Sequence, residues 1–179
     1  SYGAVQANEA LNTPLCLVYL SPFAIAQDVR QQGPRCGLHH KPHRIAFFPD
    51  WFGAVPKTAH QGLLFAGFPF PDDALVPPLP AEVMAFLDAG AKPVIFTPGT
   101  FVKKSRNFFR DSVEVCEELG LRAIFLTPQR EEIPDLTPRQ IRHYKYIASQ
   151  TLAPRCRAIV HHGGIGTIAI AALDGRERP

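Results

Sequence analysis

The sequence of 179 residues carries little net charge and has no long apolar segment. Its formal net charge is +3, and no dense cluster of lysine and arginine residues is present, which argues against a nucleic-acid partner. No apolar run is long enough to span a bilayer, and no signal peptide is visible. With a hydrophobic share of 46%, the composition is that of a globular protein, which we expect to be cytoplasmic.

Cysteine is also sparse, and its spacing excludes the common zinc and redox motifs. No CxxC pair occurs among the four cysteines, which are Cys16, Cys36, Cys116 and Cys156. Free thiols in a reducing compartment are the expected state. Three histidines of one loop lie close together in sequence (His39, His40 and His43), but no cysteine or carboxylate completes a ligand set there. The sequence therefore predicts no metal site.

Proline is abundant, with 18 residues, many of them between Pro14 and Pro93. Because proline interrupts regular structure, we expect the first half of the chain to consist mostly of loops and short elements. Residues 15–20, 45–48 and 63–68 are candidate strands. Residues 23–32 are a candidate helix, and residues 33–44 have the composition of a loop.

A regular alternation of strands and helices begins after Pro93. Short apolar runs predict strands at residues 93–97, 121–126, 141–147 and 156–160. Helices are predicted at residues 80–89, 101–119, 149–155 and 168–173. Such alternation indicates a parallel, Rossmann-like sheet with helices on both faces. Because ligands of parallel sheets bind beyond the carboxyl ends of the strands, the turns at Gly99-Thr100, Ile147-Ala148 and His162-Gly163-Gly164 are predicted to face one crevice.

The last of these turns has the character of an anion site. A strand, a turn containing Gly163, Gly164 and Gly166, and a new helix follow one another, so free N–H groups and the positive helix end point above the turn. The glycine spacing differs from the GxGxxG of dinucleotide folds, and no lysine follows as in a Walker loop. His162 and the Thr167 hydroxyl are the candidate side-chain donors. Strand alternation predicts that His161 points away from His162 and packs at the strand end.

Five segments resemble those of nucleotide-sugar glycosyltransferases of the GT-B fold, including bacterial glucosyl, glucuronosyl and rhamnosyl transferases and sterol glucosyltransferases. They are residues 47–52 (Phe-Phe-Pro-Asp-Trp-Phe), 66–69 (Ala-Gly-Phe-Pro), 94–100 (Val-Ile-Phe-Thr-Pro-Gly-Thr), 152–156 (Leu-Ala-Pro-Arg-Cys) and 160–167 (Val-His-His-Gly-Gly-Ile-Gly-Thr). The segments occur in the same order and with similar spacing as in that family.

The resemblance implies roles for individual residues. His162 would contact the donor pyrophosphate, Gly166 and Thr167 would donate to the same phosphates, and Gly99 and Thr100 would complete the cradle. The nucleobase would lie against the backbone at Tyr146, Ile147 and Ala148, although the family often has proline at the last of these positions. The donor would be a UDP- or dTDP-sugar, and the acceptor a lipid or small molecule. No cofactor is implied, and the catalytic base is not identifiable.

The family pattern also implies that part of the enzyme is missing. Residues 1–80 would be the remnant of an acceptor domain with the interdomain linker, and residues 81–179 a truncated donor-binding domain. The chain reads Asp174-Gly175-Arg176 where the family continues toward the acidic residue and glutamine that bind sugar hydroxyls. We therefore expect self-association through uncovered apolar surface, or a separate acceptor domain.

Three functional interpretations remain open. The first is hexosyl transfer, the second is nucleotide binding without catalysis, and the third is a nucleotide-sugar epimerase of the same fold. The segments at residues 47–52 and 97–100 favour a transferase over an epimerase. The missing acceptor half favours binding without catalysis for the chain alone.

Overall fold

The structure, a computed structural model, describes residues 10–31, 43–70, 72, 75–99, 102, 104–135 and 138–174. Two compact units make up the chain, Ser1–Phe70 and Pro71–Pro179. Within the described residues, no helix is both long enough and apolar enough to cross a membrane. Three of the four cysteines are described: Cys16 is exposed, whereas Cys116 and Cys156 are buried. The histidine loop apart from His43, as well as Cys36, lies outside the described residues.

The first unit contains a parallel sheet of three strands, which the sequence did not predict as a sheet. Its strands are β1 (Cys16–Tyr19), β2 (His43–Ala46) and β3 (Leu63–Phe65), in the order β1-β2-β3. Helix α1 (Pro22–Gln31) joins the first two, and a 3-10 turn (Lys57–Ala59) lies before the third. A buried cluster on one face combines strand, helix and turn residues: Tyr19, Ile25, Ala46, Phe48 and Ala59.

Strand β2 begins within the predicted loop and ends earlier than expected. The prediction placed it at residues 45–48, but His43 already pairs with Cys16, and the His43 N–H donates to Leu15 O at 2.9 Å. The chain bends at Phe47 and Phe48, just before Pro49, which lacks an N–H donor for a ladder. The apolar residue at position 48 therefore reflects the full burial of the Phe48 side chain, and it does not indicate a strand.

The second unit confirms the predicted four-stranded parallel sheet. Its strands are β4 (Val94–Thr97), β5 (Ala123–Leu126), β6 (Ile141–Tyr144) and β7 (Ala158–His161), in the order β6-β5-β4-β7. All three pairings are parallel. The helices are α2 (Ala81–Asp88), α3 (Arg106–Glu118), α4 (Ser149–Leu152) and α5 (Ile165–Asp174). A 3-10 turn (Arg130–Glu132) follows β5, and another (Ala153–Arg155) follows α4.

Helices cover both faces of this sheet, as predicted. On one face, α3 places Phe109, Val113 and Cys116 against strand residues such as Phe96 and Phe125. On the other face, α2 contributes Val83 and Leu87, and α4 contributes Leu152. These side chains form a cluster with the strand residues Ile95 and Ile124. Strand β5 is buried along its whole length, as expected for the centre of a parallel sheet.

Helix α3 starts at Arg106 and not at residue 101, so its predicted start is wrong. The first helical bond runs from Phe109 N–H to Ser105 O at 3.0 Å. The Ser105 N–H donates to Oε2 of Glu132 at 2.9 Å, and the side chain of Arg106 donates to Glu131 O at 2.7 Å. These contacts with the turn after β5 define where the helix begins. Strand β6 is likewise shorter than predicted, because its pairing with β5 ends at Tyr144.

Candidate functional site

The site lies where the strand order of the second sheet reverses. From β4 the chain proceeds to β5 and β6 on one side, and it then returns to β7 on the other side of β4. Thr97 at the end of β4 aligns with His161 at the end of β7. The turns that follow these two strands are therefore neighbours at the carboxyl edge, which is where parallel α/β sheets bind ligands.

The imidazole ring of His162 lies directly over two glycines of these turns. A Cβ atom added at Gly99 would lie 2.8 Å from both ring nitrogens of His162. A Cβ atom added at Gly164 would lie 2.8 Å from Cε1 and Nε2 of the same ring. Real Cβ atoms do not approach this closely, so glycine at both positions leaves the space that the exposed ring occupies. The structure thus brings together three residues that were predicted from sequence.

The backbone of both turns requires glycine. Gly99 has φ +96° and Gly163 has φ +87°, values in the left-handed region where a Cβ atom is unfavourable. The Gly99 N–H donates to Oγ1 of Thr97 at 3.4 Å. The Gly163 N–H donates to Nδ1 of His161 at 3.1 Å. Sequence alternation predicted only that His161 would pack at the strand end, and it did not indicate this hydrogen bond.

Helix α5 begins directly after Gly164, over which the His162 ring lies. Its first helical bond joins Ile168 N–H to Gly164 O at 3.0 Å, so the N–H groups of Ile165, Gly166 and Thr167 have no intrahelical acceptor. The first turn contains no acidic side chain. Open space surrounds Gly166, because a Cβ atom added there would meet nothing within 4 Å. The positive end of the α5 dipole therefore faces the same space as His162.

The N-terminus of α3 lies at the same edge but already holds an anionic group. The carboxylate of Glu132 accepts the Ser105 N–H, in the manner of a capping-box glutamate supplied from a distant segment. No sequence pattern indicated this contact, because the two residues are 27 positions apart. A ligand phosphate would meet like charge at α3 and free N–H groups at α5.

The predicted base-binding segment lies at the carboxyl end of β6. Ile147 is 5% exposed and Ala148 is 9% exposed, so both side chains face the core. The Ala148 carbonyl accepts the Thr151 hydroxyl at 2.9 Å. Tyr146, immediately before them, is 79% exposed. Three strand spacings separate β6 from β7, about 14 Å, so only an extended ligand would reach both this segment and His162.

The structure leaves other parts of the predicted site open. Thr100 lies outside the described residues. Within the described residues, no group of three or more histidine, cysteine, aspartate or glutamate side chains could hold a metal ion. The binding roles predicted for His162, Gly163, Gly164, Gly166, Thr167, Gly99, Ile147 and Ala148 stay predictions.

Sequence comparison finds that the chain is similar to glycosyltransferases. The chain is 32% identical over 108 residues to TDP-daunosamine transferase DnrS of Streptomyces peucetius, covering 55% of this chain and 24% of that protein. It is 30% identical over 135 residues to sterol 3-beta-glucosyltransferase UGT80A2 of Arabidopsis thaliana, covering 72% of this chain and 20% of that protein. No family model matches the sequence.

Solved structures show the same fold. The glycosyltransferase SnogD from Streptomyces nogalater matches 97% of this chain with a TM-score of 0.53, at 19% identity and over 56% of its own chain. The glycotransferase of kitacinnamycin matches 75% of this chain with a TM-score of 0.57, at 18% identity and over 35% of its own chain. The fold predicted from sequence and the resemblance to GT-B glycosyltransferases are thereby confirmed.

The matched length is limited. The chain spans only 24% of the daunosamine transferase and 20% of the sterol glucosyltransferase. It spans 22% of an uncharacterized protein of Mycobacterium bovis, Mb1553c, to which it is 32% identical over 95 residues, or 52% of this chain. The matches therefore do not extend over the whole length of any of these proteins.

Proposed function

We propose that the turns after β4 and β7 bind the diphosphate of a nucleotide-sugar, and that this chain is the donor-binding part of a glycosyltransferase. The observation that carries the proposal is the His162 ring, which lies over Gly99 and Gly164 beside the unpaired N–H groups of α5. A side-chain donor, free backbone donors and a positive helix end converge on one small space. That combination suits a phosphate anion.

The remaining geometry fits an extended nucleotide. With the diphosphate at α5, the nucleoside would extend along the carboxyl edge toward the end of β6. There the exposed ring of Tyr146 offers an aromatic surface, next to the backbone of Ile147 and Ala148. Because Glu132 occupies the N-terminus of α3, the phosphates are assigned to α5.

The relatives suggest the chemistry of donor and acceptor. One is named as a transferase of TDP-daunosamine and another as a sterol 3-beta-glucosyltransferase. By analogy we propose UDP- or dTDP-linked hexose as donor and a lipid or small-molecule hydroxyl as acceptor. The chain is proposed to bind the nucleotide and, by itself, to transfer no sugar. Sugar release from the pure chain would instead support catalysis or, with a changed sugar, an epimerase.

Titration calorimetry with UDP and dTDP tests the diphosphate site. A hydrogen bond to a charged phosphate contributes roughly 1.5–3 kcal/mol, so His162→Ala should weaken binding about ten- to a hundredfold. Uridine, which lacks the diphosphate, should bind both proteins equally. His60→Ala is the matched control, since His60 belongs to the other unit, where its Nε2 contacts Val55 O at 3.3 Å and its ring lies 5.4 Å from that of Phe65. Equal UDP affinity in His162→Ala would remove His162 from the site.

A further inference from the structure

We propose that His161 is a positioning residue of the glycine turn: its Nδ1 atom holds the Gly163 N–H and thereby sets the turn that presents His162 and the α5 donors. The inference rests on the proposed diphosphate site and adds a residue that does not itself need to touch the ligand. Its basis is the 3.1 Å hydrogen bond from Gly163 N to His161 Nδ1.

The backbone of His161 is itself well anchored. It is the last residue of β7 and aligns with Thr97 of the neighbouring strand β4. Only three residues separate it from Ile165, the first residue of α5. Within that short distance the chain must leave the sheet, pass through the positive φ of Gly163 and enter the helix. A side chain fixed on the strand and bonded to the turn links the orientation of α5 to the sheet.

The hydrogen bond also assigns the proton on the ring. A backbone N–H can only donate, so Nδ1 must be the unprotonated nitrogen. The His161 ring is therefore the neutral tautomer that carries its proton on Nε2. Because the Gly163 N–H is already bonded, the donors left for an anion include those of Ile165, Gly166 and Thr167. His161 thus determines which N–H groups of the turn face the ligand.

Three substitutions of His161 separate the effect of its hydrogen bond from the effect of its side-chain volume. In His161→Asn, the side-chain oxygen stands at the same bond distance from the backbone as Nδ1 and can accept the Gly163 N–H. In His161→Gln, the acceptor lies one bond farther away, and His161→Leu has none. A neutral hydrogen bond contributes about 0.5–1.5 kcal/mol. UDP affinity is therefore expected to fall about three- to tenfold in the Gln and Leu variants and to stay within about twofold of the parent in Asn.

Two readouts decide the matter separately from the proposed function. Long-range proton–nitrogen NMR spectra of the histidine rings, with His161→Asn used for assignment, should show Nδ1 of His161 unprotonated at neutral pH. That measurement needs no nucleotide, so absence of UDP binding by the parent chain would overturn the proposed function while the spectrum still tests His161. A proton on Nδ1, or equal UDP affinity in the Asn, Gln and Leu variants, would overturn the positioning role. Should the Leu variant not fold, the comparison of Asn with Gln decides.

Discussion

Replacing Gly99 with alanine tests the packing of the two turns most directly. The change acts through two physical effects. The φ of +96° is unfavourable for any residue with a Cβ atom, at a cost of about 1–2 kcal/mol. The new methyl group would also lie 2.8 Å from the His162 ring nitrogens, so the exposed ring has to move. The first effect lowers stability, and the second displaces the ring that is proposed to bind the phosphates.

The expected result has two parts. For a unit of about 100 residues, each kcal/mol lowers the Tm by roughly 4–8 °C, so Gly99→Ala should melt several degrees below the parent. UDP binding should weaken about as much as in His162→Ala, ten- to a hundredfold. Gly120→Ala is the matched control, because Gly120 has φ +61° and a Cβ atom added there meets nothing within 4 Å. It should lose stability and keep the parent affinity.

A double-mutant cycle shows whether Gly99 acts through His162. If the methyl group weakens binding by displacing the ring, the double variant Gly99→Ala, His162→Ala should bind UDP no worse than His162→Ala alone. Calorimetry on the parent, the two single variants and the double variant supplies the four affinities. Parent-like affinity in Gly99→Ala, or losses that add in the double variant, would refute the arrangement described for the ring.

Three further predictions concern stability and association. Arg122→Lys should lower the free energy of unfolding, measured in urea, by about 1–3 kcal/mol. The guanidinium of Arg122 donates to Ala91 O at 2.7 Å and lies 4.2 Å from the Phe86 ring centroid, and lysine has no planar guanidinium to replace these contacts. Burial raises the pKa of the Cys116 thiol, so the folded state holds that proton more tightly than the unfolded chain. The free energy of unfolding should therefore fall as the pH rises above about 9. The fall should be less steep in Cys116→Ala. Val160 is 40% exposed, and among the described residues its strand pairs only with β4. Such an apolar edge should promote self-association. Sedimentation should therefore show less self-association in Val160→Lys than in the parent.

Local sequence pattern was sufficient for most of the second unit. Apolar runs separated by helix-length segments predicted four parallel strands with helices on both faces, because burial on both faces leaves that signature. The pattern failed where a distant residue determines the structure. Phe101 and Val102 made the helix look longer, whereas Glu132, far away in sequence, fixes the start of α3 at Arg106. In the first unit, the polar His43 and Arg44 hid the start of β2.

The site shows the same division between local and distant causes. The glycine turn after β7 was recognisable because its spacing is local. The position of the His162 ring over Gly99 depends on β7 lying beside β4, and strand order is not encoded in any short segment. The bond between His161 and Gly163 was missed for a different reason. Strand alternation assigns faces within a strand, but it does not describe the turn in which the strand ends.

Two helix N-termini at one sheet edge explain why the anion is assigned to α5. Both α3 and α5 begin without an acidic residue in the first turn, so neither helix supplies a carboxylate to its own positive end. The protein provides one for α3, where Glu132 accepts the Ser105 N–H at 2.9 Å. At α5 the His162 ring instead lies over Gly164, the residue that precedes the first turn. A negative charge is favourable at both helix ends, and the proposed diphosphate is therefore assigned to the end beside His162, whose first turn has no acidic side chain.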